Sequence, residues 1–184
     1  MVEIYDANET ISLQTSFKLN PSLNTKVQDR RPLFTPASSI VRITLMPMSV
    51  HIFTYGSLMF HRVWSKVVGG MYEKVGARLY GYKRRKIRGE IYPTVLPGTS
   101  RDYVDGIIYL NVSKSHVKTL DAFEGEYYQK EMVECGLTDG GNITAWVYVF
   151  KERYRDLVED EPWDPVWFSE DGIHSFLDRY EGFN

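Results

Sequence analysis

The chain has a single cysteine, Cys135, in 184 residues, so it has no partner for an internal disulfide and no thiolate cluster for a metal. Nowhere do 18 apolar residues run together, which leaves no candidate transmembrane helix. Its four histidines, His51, His61, His116 and His174, lack ligand spacing, and no zinc site is expected. Neither sign of charge dominates: 22 Lys and Arg against 24 Asp and Glu give a net charge of −2, with a pI near 6.1. So small a net charge selects neither nucleic acid nor an anionic membrane. A secretory h-region is also missing. Together these absences describe a soluble protein of a reducing compartment, expected in the cytoplasm, using no metal and no cofactor.

What is present is ordinary apolar content, 43%, with many aromatics: 13 Tyr, 9 Phe and 4 Trp. That suffices for a core, and the length suits one domain of about 100–150 residues plus an appendage. Residues 1–47 differ in composition, being rich in Ser, Thr, Asn and Pro, with only 40–45 strand-like. Their five basic residues from Thr10 to Pro47 (Lys18, Lys26, Arg30, Arg31, Arg42) faintly resemble a transit peptide. Glu3, Asp6 and Glu9 argue against it. Residues 1–47 are expected to be a flexible extension, and Met46 or Met48 a second possible start. The domain is then 48–184, its oligomeric state left open.

Within it, strand and helix signals alternate unevenly. Residues 50–55 form a short apolar strand running into Gly56-Ser57. Val63, Trp64, Val67 and Val68 mark a helix over 60–68, closed by Gly69-Gly70. Strand patterns follow over 72–87, broken at Gly81, and over 104–110. Ser113 is a good N-cap for a helix reaching Glu124. Residues 127–137 and 143–150 read as a hairpin across Thr138-Asp139-Gly140-Gly141-Asn142. After a polar stretch over 159–165, Phe168, Ile173, Phe176, Leu177 and Tyr180 outline an amphipathic C-terminal helix. Several strands are consecutive, so the expected fold class is α+β with a curved or closed mixed sheet. Cys135 falls in a strand and reads as a small packing residue.

Two segments carry chemistry. Val117, Leu120 and Glu124 share one helix face, with Gly125 placed to end the helix in a left-handed conformation. A glutamate on a buried face is either satisfied by a nearby Lys, Arg or Tyr, or retained for a task, because an unpaired buried charge is costly. The second segment, Phe53-Thr54-Tyr55-Gly56-Ser57-Leu58-Met59, is a strand end, a glycine and a helix start. Backbone N–H groups at such a turn can form an anion-binding nest. Ser57 is not in a nucleophile elbow, since Tyr-Gly-Ser-Leu-Met lacks the second glycine.

Together the segments resemble the γ-glutamylcyclotransferase-like family, which includes the plant avirulence-induced proteins. Tyr55-Gly56-Ser57-Leu58 resembles its first signature. Leu120-Asp121-Ala122-Phe123-Glu124-Gly125, with Tyr128 and Lys130 beyond, resembles the second. Arg88-Gly89-Glu90-Ile91-Tyr92-Pro93 and Val104-Asp105-Gly106-Ile107-Ile108-Tyr109 look like the pieces between, and 168–183 is similar to the bacterial branch. The resemblance covers about residues 50–183. It implies a partly closed barrel of mixed strands flanked by a few helices. It also implies conversion of a γ-glutamyl amide into 5-oxoproline and a free amine.

In that chemistry the substrate's α-amine attacks its own γ-carbonyl, so the enzyme must hold the folded conformer and move one proton between nitrogens. The family's catalytic glutamate falls on Glu124. Apolar surroundings and the negative end of its helix are expected to raise its pKa. The backbone of Tyr55, Gly56, Ser57 and Leu58 would hold the α-carboxylate or the developing oxyanion. A side chain at Gly56 would block that approach. Tyr128 and Tyr92 would line the pocket. The partner implied is a small γ-glutamyl substrate, the amine being an amino acid, the ε-amine of lysine, another metabolite's amine or the dipeptide of glutathione.

Two other readings accompany it. The run Lys83-Arg84-Arg85-Lys86-Ile87-Arg88, near Tyr80 and Tyr82, suits single-stranded nucleic acid or, more simply, a solvated strand face. An inactive ligand- or protein-binding module on the same fold would show Glu124 tied to Lys130 or Arg88 away from any cavity. Asp121 and Glu126 flank Glu124, but Asp121 is expected in solvent or on a Lys and Glu126 exposed, against a two-carboxylate glycosidase.

Overall fold

The computed structural model describes residues 49–180; the extension expected over 1–47 lies outside the described residues. In order, the elements are β1 (Val50–Thr54), a 3-10 turn (Ser57–Met59), α1 (His61–Val67), β2 (Lys74–Tyr80), β3 (Tyr82–Lys86), β4 (Pro93–Pro97) and β5 (Tyr103–Val112). Then come α2 (Lys114–Glu124), β6 (Tyr128–Leu137), β7 (Asn142–Phe150), a second 3-10 turn (Glu152–Leu157), α3 (Pro165–Trp167), a π turn (Phe168–Gly172) and α4 (Ile173–Arg179). Among the described residues, no helix is long and apolar enough to cross a membrane.

Five strands close a barrel in the order β1-β5-β2-β6-β7. Closure comes from a parallel seam, Ile52 beside Trp146 and Phe53 beside Val147, while the other four seams are antiparallel. Period-two alternation divides the side chains. Phe53, Leu79, Ile108, Cys135, Val147 and Val149, from all five strands, pack together inside. Their neighbours Ile52, Tyr109, Tyr148 and Phe150 face outward onto a second core with α1, α2 and the C-terminal helices. Trp64 of α1 stacks on Tyr109 with ring centroids 3.5 Å apart, fixing that helix to the barrel wall. Cys135 is fully buried, and burial pushes its thiol up to about 12, as fits a packing residue.

β4 is an element the sequence did not announce. It pairs with β3 in a separate two-stranded sheet, from Tyr82 opposite Pro97 to Lys86 opposite Pro93. Prolines at both of its ends disguise it, yet Thr94, Val95 and Leu96 between them are buried. Gly81 turns β2 into β3 at φ +79. Gly106 is required for a different reason: a Cβ there would collide with the Thr54 carbonyl and the Phe53 ring, where β5 crosses the end of β1.

Candidate active site

The glutamate helix begins as its cap residue dictates: the Ser113 hydroxyl accepts from the His116 N–H at 3.4 Å. Leu120 anchors α2 in the outer core and Glu124 is its last residue. Gly125 has positive φ, as expected, but its ψ of −149 takes it past the left-handed helical region. That is the mirror image of extended backbone, open to glycine alone. The chain therefore leaves α2 abruptly and starts β6 at Tyr128.

β1 ends at Thr54, inside the second segment and immediately before Tyr55. Arg84 Nη1 donates to the Tyr55 carbonyl at 2.8 Å, and the Tyr109 hydroxyl donates to the Leu58 carbonyl at 3.0 Å, so the 55–58 turn is held at both ends. Gly56 is constrained by the protein itself. A Cβ there would sit 2.8 Å from the Pro93 ring, a reason for glycine that the sequence does not show.

Both segments open into one cavity of about 610 Å3. Tyr55, Gly56, Ser57, Leu58, Tyr92, Glu124 and Tyr128 all line it. Residues not foreseen also contribute: Glu90, Phe123, Tyr127, Tyr148, Phe176, Arg179 and Tyr180. Tyr148 had a signal, since Trp146, Tyr148 and Phe150 alternate with the interior valines. The α4 residues had none, because only tertiary packing brings them here.

Glu124 is half-buried and enclosed by protein on the cavity floor. Burial, and then the charge of Asp121, push its carboxyl up to about 8. It makes no ion pair with Lys130 or Arg88. Lys130 Nζ lies 2.8 Å from Asp121 Oδ1, and Arg88 Nη2 donates to the Asp156 carbonyl at 3.2 Å. Asp121 is thus on a lysine and Glu126 exposed at the cavity rim, both as expected. Ser57 is buried, and among the described residues no histidine lines the cavity to activate it.

Three tyrosine hydroxyls around the cavity have their protons committed. Tyr55 donates to the Tyr148 carbonyl at 2.7 Å and Tyr128 to the Pro93 carbonyl at 3.0 Å. Tyr148 donates to Asp121 Oδ1 at 2.7 Å. Neither a carbonyl nor a lysine-paired carboxylate gives a proton in return, so Tyr128 and Tyr148 can only accept from a ligand, whereas the Tyr55 oxygen already takes hydrogen bonds from the Thr94 side chain and the Val95 backbone. Burial raises the pKa of all three, and Glu124 adds to the shift, so they stay neutral.

The basic run is a partly solvated strand face balanced by acids, except at Arg84. β3 is half-buried throughout. Lys83 faces Asp102 at 3.5 Å and Lys86 pairs with Glu161 at 2.7 Å, both at partly exposed side chains. The Arg84 guanidinium instead lies over Trp163 at 5.3 Å and supports the 55–58 turn.

A family model described as gamma-glutamyl cyclotransferase, AIG2-like, matches residues 52–165, more than half of the chain. AIG2-like protein C of Arabidopsis thaliana is 34% identical over 104 residues, 55% of this chain and 59% of that protein, so the chain spans less than two thirds of this relative. Protein AIG2 C of the same plant is 30% identical over 121 residues, 64% of this chain and 71% of its own length. Two solved structures share the fold. A solution structure of an Arabidopsis thaliana protein gives a TM-score of 0.56 at 25% identity, covering 72% of this chain and 80% of that one. A gamma-glutamyl cyclotransferase gives 0.54 at 19%, covering 74% and 90%. With a matching signature at each side of one cavity, the chain belongs to the gamma-glutamyl cyclotransferase, AIG2-like family.

Proposed function

We propose that the protein is an acyl-transferring γ-glutamylcyclotransferase, releasing 5-oxoproline and a free amine from a γ-glutamyl amide, with Glu124 as general acid and base. The observation that carries this reading is the placement of a carboxyl of pKa about 8 opposite the 55–58 turn, in one cavity. An amine nucleophile needs a base of closely matched pKa, and a carboxylate of ordinary acidity would be too weak.

The substrate's α-ammonium gives a proton to ionised Glu124. The freed nitrogen attacks the γ-carbonyl carbon, and the new C–N bond closes a five-membered ring. The tetrahedral intermediate collapses as the γ-carbon to amide-nitrogen bond breaks: Glu124 gives its proton to the departing nitrogen, takes the second proton from the ring nitrogen, and passes that one to the released amine. No water is consumed. The committed tyrosine hydroxyls cannot donate to the developing oxyanion, so that task falls to the amides of the 55–58 turn. Lone pairs of Tyr128 and Tyr148 suit the ammonium instead. The aromatic wall of Phe123, Tyr127 and Phe176 suits the side chain of the leaving amine.

The test is a screen of γ-glutamyl amino acids, γ-glutamyl-ε-lysine and glutathione for 5-oxoproline release. Glu124→Gln is expected to lower kcat by roughly 10²–10⁴-fold with folding intact, because Gln is isosteric but cannot accept the proton. A Gln variant that turns over normally would refute the mechanism.

A further inference from the structure

Lys130 and Asp121 lie outside the cavity lining yet reach into it through one side chain. The Lys130 ammonium sits 2.8 and 2.9 Å from the two Asp121 oxygens, and Asp121 Oδ1 accepts from the Tyr148 hydroxyl at 2.7 Å. A carboxylate paired with an ammonium has no proton to return, so the direction of the Tyr148 bond is forced. The same tyrosine's carbonyl accepts from Tyr55, which fixes its backbone as well as its ring. Asp121 is also one helical turn from Glu124 on α2.

We propose that Asp121, held by Lys130, is a positioning residue: it turns the lone pairs of Tyr148 toward the cavity beside Glu124 and places a negative charge behind that carboxyl. The idea rests on the cyclotransferase reading, and serves two needs of that reaction from outside the cavity lining. The attacking nitrogen meets an acceptor at Tyr148 and never a competing donor. Glu124 meets a fixed negative charge whose strength Lys130 moderates.

The other groups around Glu124 do not duplicate this. Tyr55 at the end of β1, Tyr92 before β4, Tyr128 of β6 and Tyr148 of β7 are neutral phenols whose deprotonation burial opposes. Glu90, Glu126 and, from α4, Arg179 are the further charges on the cavity wall. Asp121 is the charge that raises Glu124.

Two measurements on the same full-length variants decide the matter. In the first, the Glu124 carboxyl is titrated by NMR with carbon-labelled glutamate, which needs no turnover. Asp121→Asn is expected to lower its midpoint by about one unit and Lys130→Met to raise it, since the two remove charges of opposite sign. Tyr148→Phe serves as the neutral reference. In the second, kcat/KM for 5-oxoproline release is compared across pH. Asp121→Asn and Tyr148→Phe should each lose about tenfold, the scale of a hydrogen bond to a charged group. Their double variant should lose no more than Asp121→Asn alone, because without Asp121 the Tyr148 hydroxyl is no longer oriented and its removal costs nothing more. Multiplying losses, or a Glu124 midpoint indifferent to both Asp121→Asn and Lys130→Met, would overturn the proposal. A wild-type protein releasing no 5-oxoproline would instead refute the cyclotransferase reading, with the NMR arm still deciding the charge arrangement.

Discussion

Glu124 makes stability and activity pull in opposite directions with pH. In the folded chain its carboxyl is held at about 8, against an ordinary value of 4.5. Below the ordinary value the group is protonated whether folded or unfolded, and contributes no pH dependence. As pH rises through the window from 4.5 to 8, the unfolded chain ionises while the native one retains its proton. Stability therefore falls across that window and levels off above it. The proposed catalysis needs the ionised form that folding resists. Glu124→Gln removes the titration but keeps the shape. Its melting temperature should match the wild type near pH 4.5 and exceed it progressively, by several degrees, up to a plateau above pH 8. Thermal melts of both proteins across that range check this; parallel curves would mean that the carboxyl is not desolvated.

At the scale of elements, the site is a strand end, a helix end and a brace between them. The brace is β3, whose Arg84 holds the Tyr55 carbonyl while its guanidinium rests over Trp163, itself donating to the Ile91 carbonyl at 2.8 Å. Arg84→Met keeps the aliphatic stem and removes the donors. The 55–58 turn should then lose its registration against Glu124, raising KM by roughly tenfold, the scale expected for a charged hydrogen bond. Arg84→Lys should recover part of the loss. Initial-rate kinetics on the γ-glutamyl amide found in the screen measure both.

That brace also shows where sequence reading reaches its limit. The run from Ser113 to Gly125 was legible because caps, periodicity and helix-ending glycines act within a few residues. The β6–β7 hairpin was legible through its Gly140-Gly141 turn, both at positive φ. Arg84 was not legible: a basic cluster in a strand looks the same from sequence whether it faces water or a neighbouring carbonyl. β4 was masked by Pro93 and Pro97, which suppress strand patterns even where the chain pairs. A curved or closed mixed sheet was expected, but the seam that closes it was hidden, since the parallel pairing of β1 with β7 is a contact between distant parts of the chain. All seven candidate site residues were read from two local signatures and their surroundings, whereas Arg179 and Tyr180 reach the cavity only because α4 folds back over it.

For the whole molecule, the C-terminal helices serve both stability and the site, and two phenylalanines separate these roles. Phe168 is fully buried between Phe60, Trp163 and Phe176, with ring centroids 5.2, 5.2 and 6.0 Å away, and it does not line the cavity. Phe176 packs in the same core, 6.2 Å from Phe123, and also forms part of the cavity wall. Truncating either to alanine should cost about 3–5 kcal/mol of stability through lost burial and the void left behind. The functional outcomes should differ. Phe168→Ala is expected to keep the KM of the wild type when assayed well below its lowered melting temperature. Phe176→Ala should raise KM for substrates with bulky leaving amines and spare those with small ones, because in the proposed reaction the wall it contributes receives that part of the substrate. Chemical denaturation curves paired with KM values for a large and a small γ-glutamyl amide separate the two effects. Equal KM changes in both variants would mean that α4 acts on the site only by holding the fold together.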